Sequence, residues 1–405
     1  MELGQLSEQT RMDALPHGWQ EYTIDQTLTL INGLAFRPSE WKAHGTPIIR
    51  IQNLNDNNSP YNYYDGPIDE KYRIRAGNIL FAWSGTTGTS FGARAWAGPN
   101  AVLNQHIFKV VPDKTKVTSY YSFLILQNVQ KEIERQAHGF KSSFVHVKKS
   151  DLVKVSLLIP PISEQWAIGE ALSEIDELIA NTRRLVEKKR AIKRGMMQQL
   201  LAGEVRLPGF SEPWCEMHFE DLAAPTRERV DPRSVSAGTR LIELEHIGAM
   251  SGRLTGYSTA AEAVSLKTVF RPGDVLFGKL RAYLRKYWLA DSEGLCSTEM
   301  WALRAKRNAV GAFVRYVVET DRFAEAASGG YGTHMPRSDW SVVRKLPVSV
   351  PPRDEQEAIS QVLRDADTEI AALYGSIEKT VAVKQGMMQE LLTGRTRLPG
   401  KESAA

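Results

Sequence analysis

Residues 160–209 and 351–400 are two copies of one segment, aligning without a gap and sharing 25 of 50 residues. Pro160 and Pro161 with Glu164 and Gln165 return as Pro351 and Pro352 with Glu355 and Gln356. GMMQQLL from Gly195 returns as GMMQELL from Gly386, and Arg206 to Gly209 (RLPG) returns as Arg397 to Gly400. A chain with such a repeat must fold as two related halves.

Between these marks apolar residues recur three and four apart: Ile168, Leu172, Ile175, Ile179 and Val186 in one copy, and Ile359, Leu363, Ala366, Ile370, Leu373 and Ile377 in the other. That period predicts helices with a coiled-coil seam. The proline pairs precede Ser163 and Asp354, which are placed to cap the helices, and Asp354 with Glu357 has capping-box spacing. Gly203 and Gly394 supply the stops. At 1.5 Å per residue such a helix is roughly 58 Å long and needs an equally long partner, for which the other copy is the obvious candidate.

A weaker echo lies upstream of each helix, where Arg75 to Phe81 (RAGNILF) resembles Arg271 to Phe277 (RPGDVLF), each reading as a glycine turn feeding a strand. Leu15 and Pro16 precede Trp19, Leu207 and Pro208 precede Trp214, and Leu398 and Pro399 recur with no domain after them, so the layout is cyclic. The intervening domains mix short β-rich runs with helical stretches at Tyr120 to Gln136 and Val310 to Ala327. The fold class is therefore α+β. The expected domains are 1–159, a first helical segment 160–206, a second domain 207–350, and a second helical segment with tail 351–405.

Two cysteines, Cys215 and Cys296, exclude a disulfide framework, and no CxxC pair exists for zinc; the reducing cytoplasm is the natural compartment. No run approaches the roughly 18 apolar residues of a membrane span, and the polar first residues carry no export signal. A net charge of +4 permits nucleic-acid binding without requiring it.

The duplicated helices, with PPxxEQ at the start and GMMQxLL then RLPG at the end, resemble the specificity subunits of type I restriction-modification systems along nearly the whole chain. The resemblance implies two target recognition domains, each reading one half of a bipartite double-stranded DNA site. It implies two helices packed antiparallel as a spacer in a pseudo-twofold repeat, two methyltransferase subunits docked around them, and restriction subunits joining through the assembled complex. It also implies no chemistry, cofactor or metal in the chain itself, since adenine methylation and ATP-dependent cleavage belong to the partners. The recognition domains match only in outline, which leaves the target bases open.

In the second domain Lys279 to Trp288 reads KLRAYLRKYW. Lys279, Arg281, Tyr283, Arg285 and Lys286 suit phosphate neutralisation with base-edge contact, although a strand with a solvated basic face has the same composition. The matching stretch of the first domain, Trp83 to Arg94 (WSGTTGTSFGAR), offers Trp83, Ser84, Thr86 and Arg94 around a Gly/Ser/Thr-rich connection. It lacks the GK[ST] of a phosphate-binding loop, and a plain hairpin connection fits it equally. The two stretches differ, which favours two unlike half-sites. A second pair of loops, GFKSS from Gly139 and GGYGTH from Gly329, adds Lys141, Ser142, Thr333 and His334; turn chemistry explains them nearly as well.

Arg183, Arg184, Lys188, Lys189, Arg190, Lys193 and Arg194 crowd the first helix against a single acid, Glu187. They form either a solvated face or a surface for DNA or an acidic partner. Gly195 and Gly386, inside helical patterns and followed by Met196, Met197, Met387 and Met388, mark a close helix approach or a docking surface for partner helices, or else a simple kink or helix end. The proline pairs lack the flanks of an [ND]PP[YF] amino-methyltransferase motif, and the eight histidines show no HExxH or HxH spacing. No catalytic residue is expected.

Overall fold

Prolines set where both long helices begin. The computed structural model describes residues 15–56, 59–139, 144–329 and 337–399. Its principal helices are α1 (Ser119–Gly139), α2 (Ile162–Leu201), α3 (Gly311–Glu319), α4 (Asp321–Ser328) and α5 (Arg353–Leu391). The carbonyl of Pro161 accepts the N–H groups of Glu164 and Gln165 at 2.9 and 3.0 Å, and that of Pro352 accepts those of Glu355 and Gln356 at 3.0 Å each. The helices therefore open at the proline, where a missing N–H is no loss to the ladder. Ser163 and Asp354, expected as caps, lie inside the first turn. At the other end Gly203 and Gly394 take φ of +71° each, and the Glu204 N–H reaches back to the Gln199 carbonyl at 3.0 Å, the glycine stop expected from the sequence.

The chain divides into two units, Met1–Asn181 with Ile377–Ala405, and Thr182–Ser376. Both boundaries fall inside the long helices. Each unit thus holds one globular domain, the part of a long helix that follows it directly, and the far part of the other helix. The cyclic order of the sequence is closed within each unit.

In the first unit, antiparallel strands run in the order Leu28–Asn32, Ile107–Pro112, Ile79–Ala82, Gly92–Ala95. Ile79 and Phe81 enter a core with α1, Ile168 and Leu172 of α2, and Met388 and Leu391 of α5. Leu80 and Ala82 enter a second core against the sheet of Asn62–Tyr64, Thr46–Ile49, Ala101–Leu103 and Arg73–Ile74. A period of two buried on both faces explains the unbroken apolar run ILFA.

The second unit repeats this plan. Its strands run Ala223–Pro225, Met300–Ala305, Val275–Gly278, Tyr287–Leu289, with Val275 and Phe277 in a core shared with α3, α4, Met197, Leu200, Ile359 and Leu363. Leu276 faces a separate core with Phe270 and Trp288. The helical stretch expected as continuous from Val310 to Ala327 is two helices. Thr320 adopts an extended conformation between them, and its hydroxyl accepts the Phe323 N–H at 3.3 Å, so it caps α4.

The same clamp closes both units. In the first, Arg397 donates to Glu164 Oε1 and Oε2 at 2.6 and 2.7 Å, and Trp19 Nε1 donates to Oε2 at 3.1 Å. In the second, Arg206 donates to Glu355 at 2.6 and 2.7 Å, and Trp214 Nε1 at 3.0 Å. The neighbouring glutamines tie each helix start to its domain: Gln165 accepts the Thr118 N–H and donates to the Pro160 carbonyl, as Gln356 does for Val310 and Pro351. About three turns further along, Lys384 meets Asp176 at 2.7 Å beside the Tyr120 hydroxyl, and Lys193 meets Asp367 at 2.7 Å beside the Tyr316 hydroxyl. Burial, reinforced by Asp176, raises the Tyr120 pKa. These contacts advance along one helix as they retreat along the other, so within each unit the helix segments pack antiparallel. The PPxxEQ and RLPG motifs are the two halves of one internal clamp.

Candidate nucleic-acid interface

Both DNA-facing stretches expected from the sequence occupy the same place in their units, the connection of one strand hairpin. In the first unit the Ile79–Ala82 and Gly92–Ala95 pair is joined by residues 83–91. Gly77 at φ +87° turns the chain into this hairpin, and Gly273 at φ +88° does so in the second unit. Trp83 lies on Phe108 at 5.9 Å between ring centroids and meets His146 edge-on at 4.9 Å. Its Nε1 donates to Asn32 at 3.3 Å. Ser84 is buried. Thr86 is exposed, and its carbonyl accepts the N–H groups of Thr89, Ser90 and Phe91, which folds the connection into a tight hook. Arg94 braces that hook, donating to the carbonyls of Thr89 and Ala93 at 2.7 and 2.8 Å. Burial lowers its pKa against the pull of Glu134. Of the four residues named from this stretch, Thr86 stands at the surface and Trp83, Ser84 and Arg94 hold it in shape.

The chain that leaves the second named loop returns to the same place. Lys141 and Ser142 lie outside the described residues, but the chain leaving that loop, Phe144–His146, pairs with Ser84–Thr86 in register Phe144 to Thr86 and His146 to Ser84. In the second unit Thr333 and His334 likewise lie outside the described residues. The residues that follow return to the first stretch through the Leu280–Arg337 bridge and a 3.0 Å bond from the Ser338 N–H to the Lys279 carbonyl.

The KLRAYLRKYW stretch links Val275–Gly278 to Tyr287–Leu289 through a single turn, Ala282–Leu284. Lys279 is partly buried near Glu299, and burial lowers its pKa. Arg285 pairs with Asp321 at the start of α4. Lys286 donates to the Leu244 carbonyl at 2.6 Å. Tyr287 and Trp288 are buried. Arg281 and Tyr283 project outward, and the Arg281 guanidinium has no partner among the described residues. A residue missed in the sequence joins them: Met250 donates its N–H to the carbonyls of Leu284 and Arg285 at 3.2 and 3.1 Å. Its signal was a methionine in a glycine turn, GAMSG at 248–252.

The basic run on α2 is partly internal. Lys193 is buried between Glu319 and Asp367 at 2.6 and 2.7 Å, Lys189 meets Glu369 at 2.6 Å, and Arg190 stacks on Tyr374. Arg183, Lys188 and Arg194 are exposed. Helices α2 and α5 run unbroken through Gly195 and Gly386, and a Cβ at either glycine would meet nothing within 4 Å, so neither marks a kink or a close approach inside its unit. Met197 and Met388 are buried in the cores of their own units, with Met196 and Met387 packed against them. Among the described residues no group of three acids, histidines or cysteines is arranged to hold a metal, and no helix is long and apolar enough to cross a membrane.

The family described as type I restriction modification DNA specificity domain matches residues 16–188. The chain is 24% identical over 359 residues to the EcoDI type I restriction enzyme specificity subunit of Escherichia coli, covering 78% of this chain and 77% of that protein. It is 22% identical over 349 residues to the MjaVIII specificity subunit of Methanocaldococcus jannaschii, covering 80% of each. The chain is therefore similar to type I restriction-modification specificity subunits over most of its length, with the family match itself on residues 16–188. Solved structures share the fold. A chain from a study of type I restriction-modification complex assembly and conformational transition matches with a TM-score of 0.57 at 16% identity, covering 94% of this chain and 99% of that one. The S subunit from M. genitalium matches with a TM-score of 0.53 at 15% identity, covering 92% and 96%.

Proposed function

We propose that this chain is a specificity subunit that reads a two-part, asymmetric DNA site, one half with each unit, and places two methyltransferase subunits on it, with restriction subunits joining through the assembled complex. The observation that carries this reading is where the two units agree and where they differ. Clamp, ion pairs and hairpin frame recur in both. The connections mounted on that frame do not: one is a small, hydroxyl-rich hook and the other a basic, aromatic turn. Identical partners need identical surfaces, and unlike half-sites need unlike ones.

Ile192 and Val383 are both exposed, each one turn before a glycine whose Cβ direction is open, Gly195 and Gly386. These are equivalent positions of the repeat and suit docking of one helix from each of two identical partners. The chain supplies placement and the partners supply methyl transfer. Adenine methylation mapped genome-wide in cells with and without this chain tests the proposal. Loss of one bipartite motif on deletion is the expected result, and an unchanged methylation pattern contradicts it.

A further inference from the structure

Among the described residues, three that are not glycine adopt positive φ: Met250 at 54°, Arg281 at 54° and Arg285 at 46°. All three belong to one cluster of the second unit, since the Met250 N–H is bonded to the carbonyls of Leu284 and Arg285. Left-handed backbone is disfavoured for a residue with a Cβ, and such positions concentrate where a side chain must be aimed. The surroundings that enforce it are plain. Ala282 is buried in the core, and Arg281 and Arg285 flank the single turn on either side of it, each bending the chain back.

We propose that this cluster is the base-reading tip of the second unit, with Arg281, Tyr283 and Met250 setting the bases of its half-site while Lys279, Arg285 and Lys286 support it. The proposal rests on the function given above. Arg285 is held by Asp321 and Lys286 by the Leu244 carbonyl, so their charges are used inside the unit. Arg281 offers an unpaired planar fork of donors, which matches the O6/N7 edge of a guanine. Met250 is 65% exposed and Tyr283 53% exposed, on the same cluster as the unpaired Arg281. Their apolar faces suit thymine methyl groups and base planes. Among the described residues the first unit has no counterpart: the positive-φ residues of its connection and following strand are Gly88 and Gly92 at +72° and +104°.

The test uses cells carrying the full chain with its methyltransferase subunits and no nuclease, with chain variants Arg281→Lys, Tyr283→Ala and Met250→Ala, and reads adenine methylation along the genome. The expected result is degeneracy at one or two adjacent positions of one half-site, with sites mismatched there methylated about tenfold more than by the parent chain and the other half-site unchanged. An unchanged motif overturns the proposal. So does a uniform fall or complete loss at every site with all three variants, because it assigns these residues to phosphate contact or folding. Persistence of the parent motif after deletion of the chain would instead defeat the proposed function itself.

Discussion

Arg397 grips Glu164 through two hydrogen bonds of 2.6 and 2.7 Å, from 233 positions further along the chain. The Glu164 side chain is 3% exposed and the Arg397 side chain 39%. The end of the second long helix is thereby fastened to the start of the first within one unit, and Arg206 and Glu355 do the same in the other. A carboxylate that deep cannot be left alone. Arg397→Ala should destabilise the first unit by about 2–3 kcal/mol, below the usual 3–5 for breaking a buried pair because the arginine end is screened by water. Glu164→Gln should cost less, since it still accepts from Trp19 and buries no charge. Denaturant unfolding of the purified chain compares the two, and equal losses would contradict this account.

The two equivalent lysines should differ. Lys193 is 9% exposed between Glu319 and Asp367, where Arg315 also meets both acids, whereas Lys384 faces Asp176, whose side chain is 40% exposed. Water can take over for Lys384 but not for Lys193. Lys193→Met is expected to cost about 3 kcal/mol or more and Lys384→Met about 1. Matched thermal unfolding curves in which Lys384→Met is the more damaging would refute this ordering.

Cys296 is buried, and that burial, with Asp274 nearby, pushes its thiol from 9.0 up to about 12, whereas Cys215 is exposed. A thiol-directed reagent at pH 8 should label Cys215 alone in the folded chain and both after unfolding, as read by mass spectrometry. Because the folded state holds this proton more tightly than the unfolded one, its contribution to stability is complete below about pH 9 and lost progressively as pH rises toward 12. Cys296→Ala should therefore flatten the fall in stability across that interval.

The long helices were legible in the sequence because a 3.6-residue period and a duplicated motif state the same thing twice. Their starts were displaced by one residue, since Ser163 and Asp354 are good caps in isolation and a proline carbonyl had already opened each helix. The hairpin connections were legible from composition, but the roles inside them were not. Lys279, Arg285 and Lys286 look alike in the sequence, and only partners tens of residues distant separate anchored charges from the unpaired Arg281. Lys193 read as part of a run facing solvent, DNA or an acidic partner for the same reason, because Glu319 and Asp367 reach it through the fold. Met250 was announced only by its glycine turn, GAMSG, and its place beside Arg281 comes from bonds to Leu284 and Arg285 more than thirty residues away.

The most direct measurement of the central claim compares two altered chains in cells that carry the methyltransferase subunits. One bears Thr86→Ala with Thr89→Ala in the first unit, the other Arg281→Lys in the second, and adenine methylation is mapped for each. The account predicts that each chain changes one half of the bipartite motif, that the halves are different, and that the untouched half is preserved. Changes falling in the same half, or in both halves at once, would contradict it.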